Sequence, residues 1–148
     1  MAALTRLLVL IPPHEIPDGF IAAIIEHARA SGAEVKALYV VDKLWFNYSG
    51  GDWLSGGASR AGFDKYMRET LRAEGDSFIE RLSRAVEDAG LAFSSGIVEG
   101  DPAEFALKSA SESAPDTLMT VAGFPGLGAL RKKYTGMLII YKKNPVPA

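Results

Sequence analysis

The spacing of hydrophobic residues changes twice at the start of the chain. Arg6 to Ile11 (RLLVLI) is a continuous apolar run stopped by two prolines, which is typical of a strand buried on both faces. Apolar residues then recur at helical spacing between a candidate N-cap, Asp18, and a glycine stop, Gly32. Glu34 to Val41 (EVKALYVV) returns to a strand pattern. The chain therefore begins with a strand–helix–strand unit.

A long interruption separates this unit from the next helix. Residues Lys43 to Gly62 contain five glycines and both tryptophans, which predicts a loop insertion. Helical periodicity resumes from Asp64 to Ala89, through apolar positions Met67, Leu71, Phe78, Leu82 and Val86. Gly75 weakens the middle of this helix by about 1 kcal/mol relative to alanine, and Gly90 ends it.

The second half of the chain adds three strands and a strong helix start. With Asp101 as N-cap, Pro102 at the first helical position and Glu104 closing a capping box, a helix is predicted to run to Ala114. The remaining predicted strands are Ala92–Val98, Thr117–Ala122 and Met137–Tyr141. Because strands alternate with helices, residues 1–148 are predicted to form a single α/β domain, with helices on both faces of a parallel sheet.

Composition narrows the possible functions. The 148 residues are 48% hydrophobic and 23% charged, as in an ordinary globular domain, and they contain no cysteine and only two histidines, so a metal site is not expected. No apolar run approaches the roughly 20 residues that span a bilayer, and the N-terminus does not read as a signal peptide, so a cytoplasmic protein is expected. Every acidic residue lies at or before Asp116 and five basic residues follow it, which gives charges of −7 and +5 for the two parts. A basic tail of this kind favours an anion or is a solvated surface, and we expect no nucleic-acid partner.

Ligands of parallel α/β sheets bind beyond the carboxyl ends of the strands, where the strand order reverses. Pro12, the segment 41–43 and the glycine-rich loop 123–128 lie at such ends. The loop could direct backbone N–H groups at an anion or could be a tight structural turn. Pro125 supplies no donor, and no Walker-type lysine and hydroxyl follow.

The order of elements resembles the universal stress protein family over nearly the whole chain. The resemblance is carried by RLLVLIPPHE, GAEVKALYVVD, VEGDPAEFALKSASESAPDTLMTVAG and MLIIYKK, and the GDPAE helix start is its most specific part. It implies an open five-stranded parallel sheet in the order 3-2-1-4-5, of the adenine nucleotide alpha hydrolase-like type. Members of the family are commonly dimers, and one branch binds ATP.

The chain departs from the ATP-binding branch of that family at two places. The branch has an acidic residue directly after strand one, where this chain has Pro12. Gly123, Gly126 and Gly136 match the spacing of the branch's phosphate loop, but Met137 replaces its serine or threonine. We interpret the spacing as coincidence, with a terminal helix over Leu127–Tyr134 and Gly136 as its C-terminal stop.

The resemblance therefore implies a degraded nucleotide site, with ATP as a possible cofactor, at Pro12, Val41, Asp42, Gly123, Gly126 and Gly128. Val41 would contact adenine or is simply a buried strand residue, and Asp42 would contact a ribose or a cation or is a surface residue. The basic residues 131–133 are expected to form a solvated face, because consecutive helical residues diverge.

Two further features remain open at the sequence level. His14 follows strand one and could act as an acid or a base, but no nucleophile is paired with it. The 43–62 insertion contains Trp45, Phe46, Tyr48, Trp53 and Leu54. These side chains would extend the core, form a lid or present a surface to a protein partner.

These observations favour a non-catalytic stress-response or regulatory module that acts through homodimerisation, with weak or absent nucleotide binding. The alternatives are an intact ATP-binding switch and a small-molecule hydrolase or transferase that uses His14. We expect the dimer to form through strand five, whose residues are apolar at the predicted edge of the sheet: Met137, Leu138, Ile139, Ile140 and Tyr141.

Overall fold

The computed structural model describes residues 5–12, 16–17, 19–42 and 57–142, with side chains except at 42 and 57–64. Its elements are β1 (Arg6–Ile11), α1 (Phe20–Ser31), β2 (Glu34–Asp42), α2 (Gly57–Asp88), β3 (Phe93–Gly100), α3 (Pro102–Ser113), β4 (Thr117–Val121), α4 (Leu127–Lys133) and β5 (Met137–Tyr141). The predictions made for His14 and for the aromatic residues of 43–56 lie outside the described residues.

The five strands form one sheet in the order β3-β2-β1-β4-β5, and every neighbouring pair is parallel. The chain moves outward from β1 to β3, returns to β4 and then reaches β5. Right-handed crossovers place the helices of these two halves on opposite faces, and α1 accordingly packs against α2 and α3 against α4. The predicted α/β class and strand order are confirmed.

The core lies at the centre of the sheet. All of β4 is buried, and so is β1 after Arg6, because helices cover these strands on both faces. The edge strands β3 and β5 contain no fully buried residue. Burial therefore explains why the central strands read as continuous apolar runs.

Two predicted caps are present. The Asp101 carboxylate accepts hydrogen bonds from the backbone N–H groups of Ala103 at 2.9 Å and Glu104 at 3.3 Å, with Pro102 at the start of α3. Gly32 ends α1 in the left-handed conformation, at φ 66°. At both positions short-range chemistry determines where the helix begins or ends.

Three local predictions are wrong. The sequence placed residues 57–62 in a loop, but α2 begins at Gly57, because a helix that is already nucleated extends through glycine at a cost of about 1 kcal/mol each. The N-cap of α1 is Gly19 at φ 88°, not Asp18. Gly136 is not the stop of α4, which ends at the extended residue Tyr134; a Cβ at Gly136 would instead lie 2.5 Å from the Tyr134 hydroxyl oxygen.

Gly75 has a packing role that its helix propensity does not reveal. Tyr39 of β2 is 1% exposed, and a Cβ at Gly75 would lie 2.7 Å from its ring carbon Cδ1. The tyrosine ring therefore occupies the space that a side chain on α2 would need. Burial, reinforced by the charge of Glu74, raises the pKa of Tyr39 to about 12, and within the described part of the chain its hydroxyl has no hydrogen-bond partner.

Replacement of Gly75 by alanine should destabilise the protein by about 1–3 kcal/mol, because the methyl group overlaps the Tyr39 ring. Helix propensity alone predicts that the same replacement stabilises the protein by about 1 kcal/mol. Gly128→Ala is the matched control, because a Cβ at Gly128 meets nothing within 4 Å and should stabilise by about 0.5–1 kcal/mol. Urea unfolding measures both, and stabilisation by Gly75→Ala would contradict the packing argument.

Stability should fall between about pH 10 and pH 12 through Tyr39. The unfolded tyrosine loses its proton near pH 10, whereas the folded one keeps it to about pH 12, so the free energy of the unfolded state falls relative to that of the folded state in this window. The loss by pH 12 is at most about 2–3 kcal/mol. Unfolding free energies measured from pH 9 to 12 should decline less steeply for Tyr39→Phe, and two parallel curves would refute the assignment.

Candidate functional site

The candidate crevice lies where strand order reverses, between β1 and β4. Their paired register runs from Leu7 opposite Thr117 to Val9 opposite Met119. One step further, the buried Thr120 hydroxyl donates a hydrogen bond to the Leu10 carbonyl oxygen at 2.8 Å. Beyond the last paired residues, this side-chain hydrogen bond joins the two strands, at the carboxyl end where such sheets bind ligands.

The predicted positions on β1 and β2 are apolar or incompletely described. Pro12 is buried directly after β1, and its side chain has no group that accepts a hydrogen bond. Val41 is 3% exposed and belongs to the core. Asp42 is the last residue of β2, opposite Gly100, rather than a residue beyond the strand. Its side chain lies outside the described part of the chain.

The glycine-rich segment after β4 forms a turn that closes on itself. The N–H of Phe124 donates to the Val121 carbonyl, and the N–H of Leu127 donates to the Phe124 carbonyl, both at 3.1 Å. Pro125 has no N–H, and the Phe124 side chain is 3% exposed in the core. Two backbone donors of the turn are therefore engaged within the protein, and a third position, Pro125, has none.

Gly126 is required for a close approach between two backbones. It is buried at the N-cap of α4, and a Cβ there would lie 3.0 Å from both Cα and N of Ala103 in α3. Gly123 and Gly128 are exposed. The packing of this turn against the first turn of α3 accounts for a glycine at 126 without any phosphate.

The basic residues of α4 do not converge on the turn. Arg131, Lys132 and Lys133 occupy its last helical turn and are all exposed. At that end they complement the negative end of the helix dipole. They lie at the opposite end of α4 from the glycine turn.

Phe124 and Thr120 are the residues that the sequence reasoning missed at this site. An aromatic residue between two glycines of a candidate phosphate loop is a usable signal, because an exposed phenylalanine there would be unfavourable. No comparable signal identifies Thr120, whose hydrogen bond joins residues 110 positions apart.

A cavity of about 240 Å³ lies at the other end of the strands, where they begin. Its polar side chains are engaged with each other. Arg6 Nε lies 3.0 Å from Glu34 Oε1, and Lys36 Nζ donates to Ser113 Oγ at 3.1 Å. Because it lies at the amino ends of the strands, this cavity is remote from the crevice at their carboxyl ends.

The described residues contain no group of three His, Asp or Glu side chains placed to hold a metal ion. Within the same residues no helix combines the length and apolarity that crossing a membrane requires. Burial, with a smaller effect of Asp116, raises the pKa of Tyr134, whose hydroxyl has no hydrogen-bond partner among these residues. The perturbed tyrosines, Tyr39 and Tyr134, both lie away from the glycine turn.

No family model matches the sequence, and no curated protein matches it either. Solved structures do match over almost the whole chain. The hypothetical protein MJ0577 is 19% identical at a TM-score of 0.69, covering 97% of this chain and 100% of its own. Universal stress protein UspA from Lactobacillus plantarum is 16% identical at 0.65, covering 94% and 99%. A universal stress protein family protein from Arabidopsis thaliana, solved with AMP bound, is 14% identical at 0.61, covering 95% and 92%. The chain therefore has the fold of the universal stress proteins.

Proposed function

We propose that this protein is a non-catalytic stress-response or regulatory module, which acts as a homodimer and binds nucleotides weakly or not at all. Its fold is that of proteins named for the stress response, which supports the class. The closed turn around Phe124 is the observation that carries the finer proposal, because it lies where a nucleotide phosphate would be held.

Nucleotide binding in this fold is represented by the AMP complex of the Arabidopsis protein. In this chain Pro12 offers no acceptor after β1, and the turn after β4 uses the N–H groups of Phe124 and Leu127 internally. Opening the turn to a phosphate would expose Phe124 and break both hydrogen bonds. The free energy needed for that opening would be subtracted from the binding free energy.

Affinity for ATP and AMP should be about tenfold to a thousandfold weaker than in an intact ATP-binding relative, because at least two polar contacts are lost. Pro12→Asp alone should not restore binding, since the turn still engages the N–H groups of Phe124 and Leu127. Titration calorimetry measures the nucleotide affinities of the natural sequence and of Pro12→Asp. Micromolar or tighter binding by the natural sequence would contradict the proposal and favour the ATP-binding switch.

Mass spectrometry of small molecules released from the purified, denatured protein tests the same point without choosing a ligand. We expect no stoichiometric nucleotide. Recovery of ATP would support the ATP-binding switch. Recovery of a substrate or product that the protein turns over, with loss of turnover in His14→Ala, would support the hydrolase or transferase alternative.

The dimer proposal depends on the free edge of β5. The Ala122 N–H donates to the Tyr141 carbonyl, so Tyr141 and, by alternation, Ile139 and Met137 direct their backbone groups towards β4. Leu138 and Ile140 therefore direct theirs away from the sheet. Met137 is 60% exposed, and the other four residues are partly exposed. An apolar strand with outward backbone donors and acceptors favours pairing with another strand.

A two-fold axis through Ile139 would pair this edge with itself. In an antiparallel arrangement, Leu138 would exchange two hydrogen bonds with Ile140 of a second copy, and Ile140 would do the same with Leu138 of that copy. All outward backbone groups of Leu138 and Ile140 in both strands would then be satisfied. Ile139 would lie opposite its own equivalent, so its side chain would be present twice at the axis.

Light scattering at tens of micromolar should show a dimer of the natural sequence and a monomer of Ile139→Lys, because two like charges would lie near the axis. Ser95→Lys is the control, because Ser95 is exposed on the other edge strand and its replacement should leave the dimer intact. A monomeric natural protein, or a dimer that survives Ile139→Lys and not Ser95→Lys, would refute this interface.

A further inference from the structure

A groove lies at the start of α1, between this segment and the middle of α2. Its walls and floor include Ile16, Tyr39, Glu74, Ser77, Phe78 and Arg81, and its volume is about 530 Å³. A neighbouring hollow of about 320 Å³ shares Ile16, Phe78 and Arg81 and reaches the first turn of α1. Neither Pro12, Val41 nor the glycine turn lines it. Small-molecule sites commonly have volumes of about 300–1,000 Å³.

Tyr39 contributes a buried polar group that nothing in the fold explains. Its side chain is 1% exposed and forms part of the groove, and its hydroxyl has no hydrogen-bond partner among the described residues. A buried hydroxyl without a hydrogen bond destabilises the fold, so native structures usually provide a partner. Burial raises the pKa of Tyr39 to about 12, so at neutral pH the hydroxyl keeps its proton and acts as a donor.

Arg81 contributes a cation without a carboxylate among the residues that the structure describes. Its guanidinium carbon lies 5.6 Å from the centroid of the Phe78 ring, which holds it over the aromatic wall of the groove. Ser77, one helical turn before Arg81, adds an exposed hydroxyl to the same wall. Glu74 is the acidic residue of the groove, and it has an interaction of its own.

The first turn of α1 adds a positive electrostatic potential beside these donors. The helix has twelve residues, its N-cap is Gly19 without a side-chain hydrogen bond, and no acidic side chain lies in its first turn. Gly19 and the first helical residues line the neighbouring hollow with Arg81. A helix start without a side-chain cap leaves a positive field at that position.

Apart from Glu74, the polar side chains that line the groove are donors, and its remaining lining residues, Ile16, Ala73 and Phe78, are apolar. We propose that the groove binds a small organic oxyanion, a carboxylate or a phosphate ester with an apolar body. Arg81 and Ser77 bind the charged group, and the apolar body packs on Ile16 and Phe78. The Tyr39 hydroxyl, which is buried in the free protein, donates to the same ligand once the groove wall above it moves aside. The assignment is independent of the proposed dimer and of nucleotide binding, because it uses different residues.

A titration followed by amide NMR spectra tests the ligand class with the full chain. The probes are benzoate, phenyl phosphate, inorganic phosphate, benzyl alcohol and benzylammonium, each up to about 10 mM, so that dissociation constants in the millimolar range are detected. We expect saturable shifts at Ile16, Ser77 and Arg81 with one or both aromatic anions, and weaker ones with inorganic phosphate. A response to benzoate alone identifies a carboxylate site, and one to phenyl phosphate alone identifies a phosphate ester site. No saturable shift from either aromatic anion, or equal shifts from benzyl alcohol or benzylammonium, overturns the proposal.

Variants test the residues. Arg81→Gln should weaken binding of the responding anion by at least about tenfold, as expected for a lost charge-assisted hydrogen bond. Arg84→Gln is the matched control, because Arg84 is on the same helix and already paired with Glu80 at 2.6 Å. If both variants weaken binding equally, the anion responds to the general charge of the helix. If neither variant weakens binding, the anion binds elsewhere. Either result would overturn the proposal.

Tyr39→Phe separates a binding role from a structural one. It retains the ring beneath Gly75 and removes only the hydroxyl, so binding should weaken by about threefold to tenfold while stability without ligand stays equal or rises. Unchanged affinity would overturn the role of Tyr39 in the proposal. Contacts in the free protein between residues 43–56 and Ile16 or Phe78, seen as nuclear Overhauser effects, would show that the chain itself occupies the groove and would overturn it entirely.

Discussion

The parallel pairing of β1 with β4 is the constraint on which the rest of the structure depends. Both strands are buried on both faces, and the order of the sheet reverses between them. With β1 and β4 in place, right-handed connections assign α1 and α2 to one face and α3 and α4 to the other. The same reversal determines where a crevice can open, and the hydrogen bond from Thr120 to Leu10 marks that point.

Two surfaces at the carboxyl end of the sheet differ in whether their polar groups have hydrogen-bond partners. Beside β4, the turn around Phe124 uses its own donors and buries its aromatic ring. Beside β2, Tyr39 has a buried hydroxyl without a partner, and Arg81 is held only over an aromatic ring among the described residues. Because buried polar groups are normally paired, the second surface is the better place to seek a ligand.

Glycine has the same physical role at two prominent positions in this chain. Gly75 makes room for the ring of Tyr39, and Gly126 lets the turn after β4 approach the backbone of Ala103. Both are positions of close approach and not of phosphate contact. A glycine pattern that imitates a nucleotide loop can therefore arise from the packing of helices on a sheet.

The sequence by itself determined the elements whose signals are local. Continuous apolar runs predicted β1 and β4 through their burial on both faces, and the side chain of Asp101 predicted the start of α3. Alternation of strands and helices predicted the parallel sheet. The resemblance supplied the strand order and the degraded candidate site. These signals succeed because periodicity and capping act within a few residues along the chain.

Only the tertiary structure decided the features that depend on distant residues. The start of α2 at Gly57, the fit of Tyr39 under Gly75 and the burial of Phe124 have no dependable local signal. The donors that line the groove come from β2, from the start of α1 and from the middle of α2, and they meet only after the helices have packed on the sheet. Packing joins residues far apart in the chain, and a sequence pattern does not specify their distances or which polar groups remain without a partner.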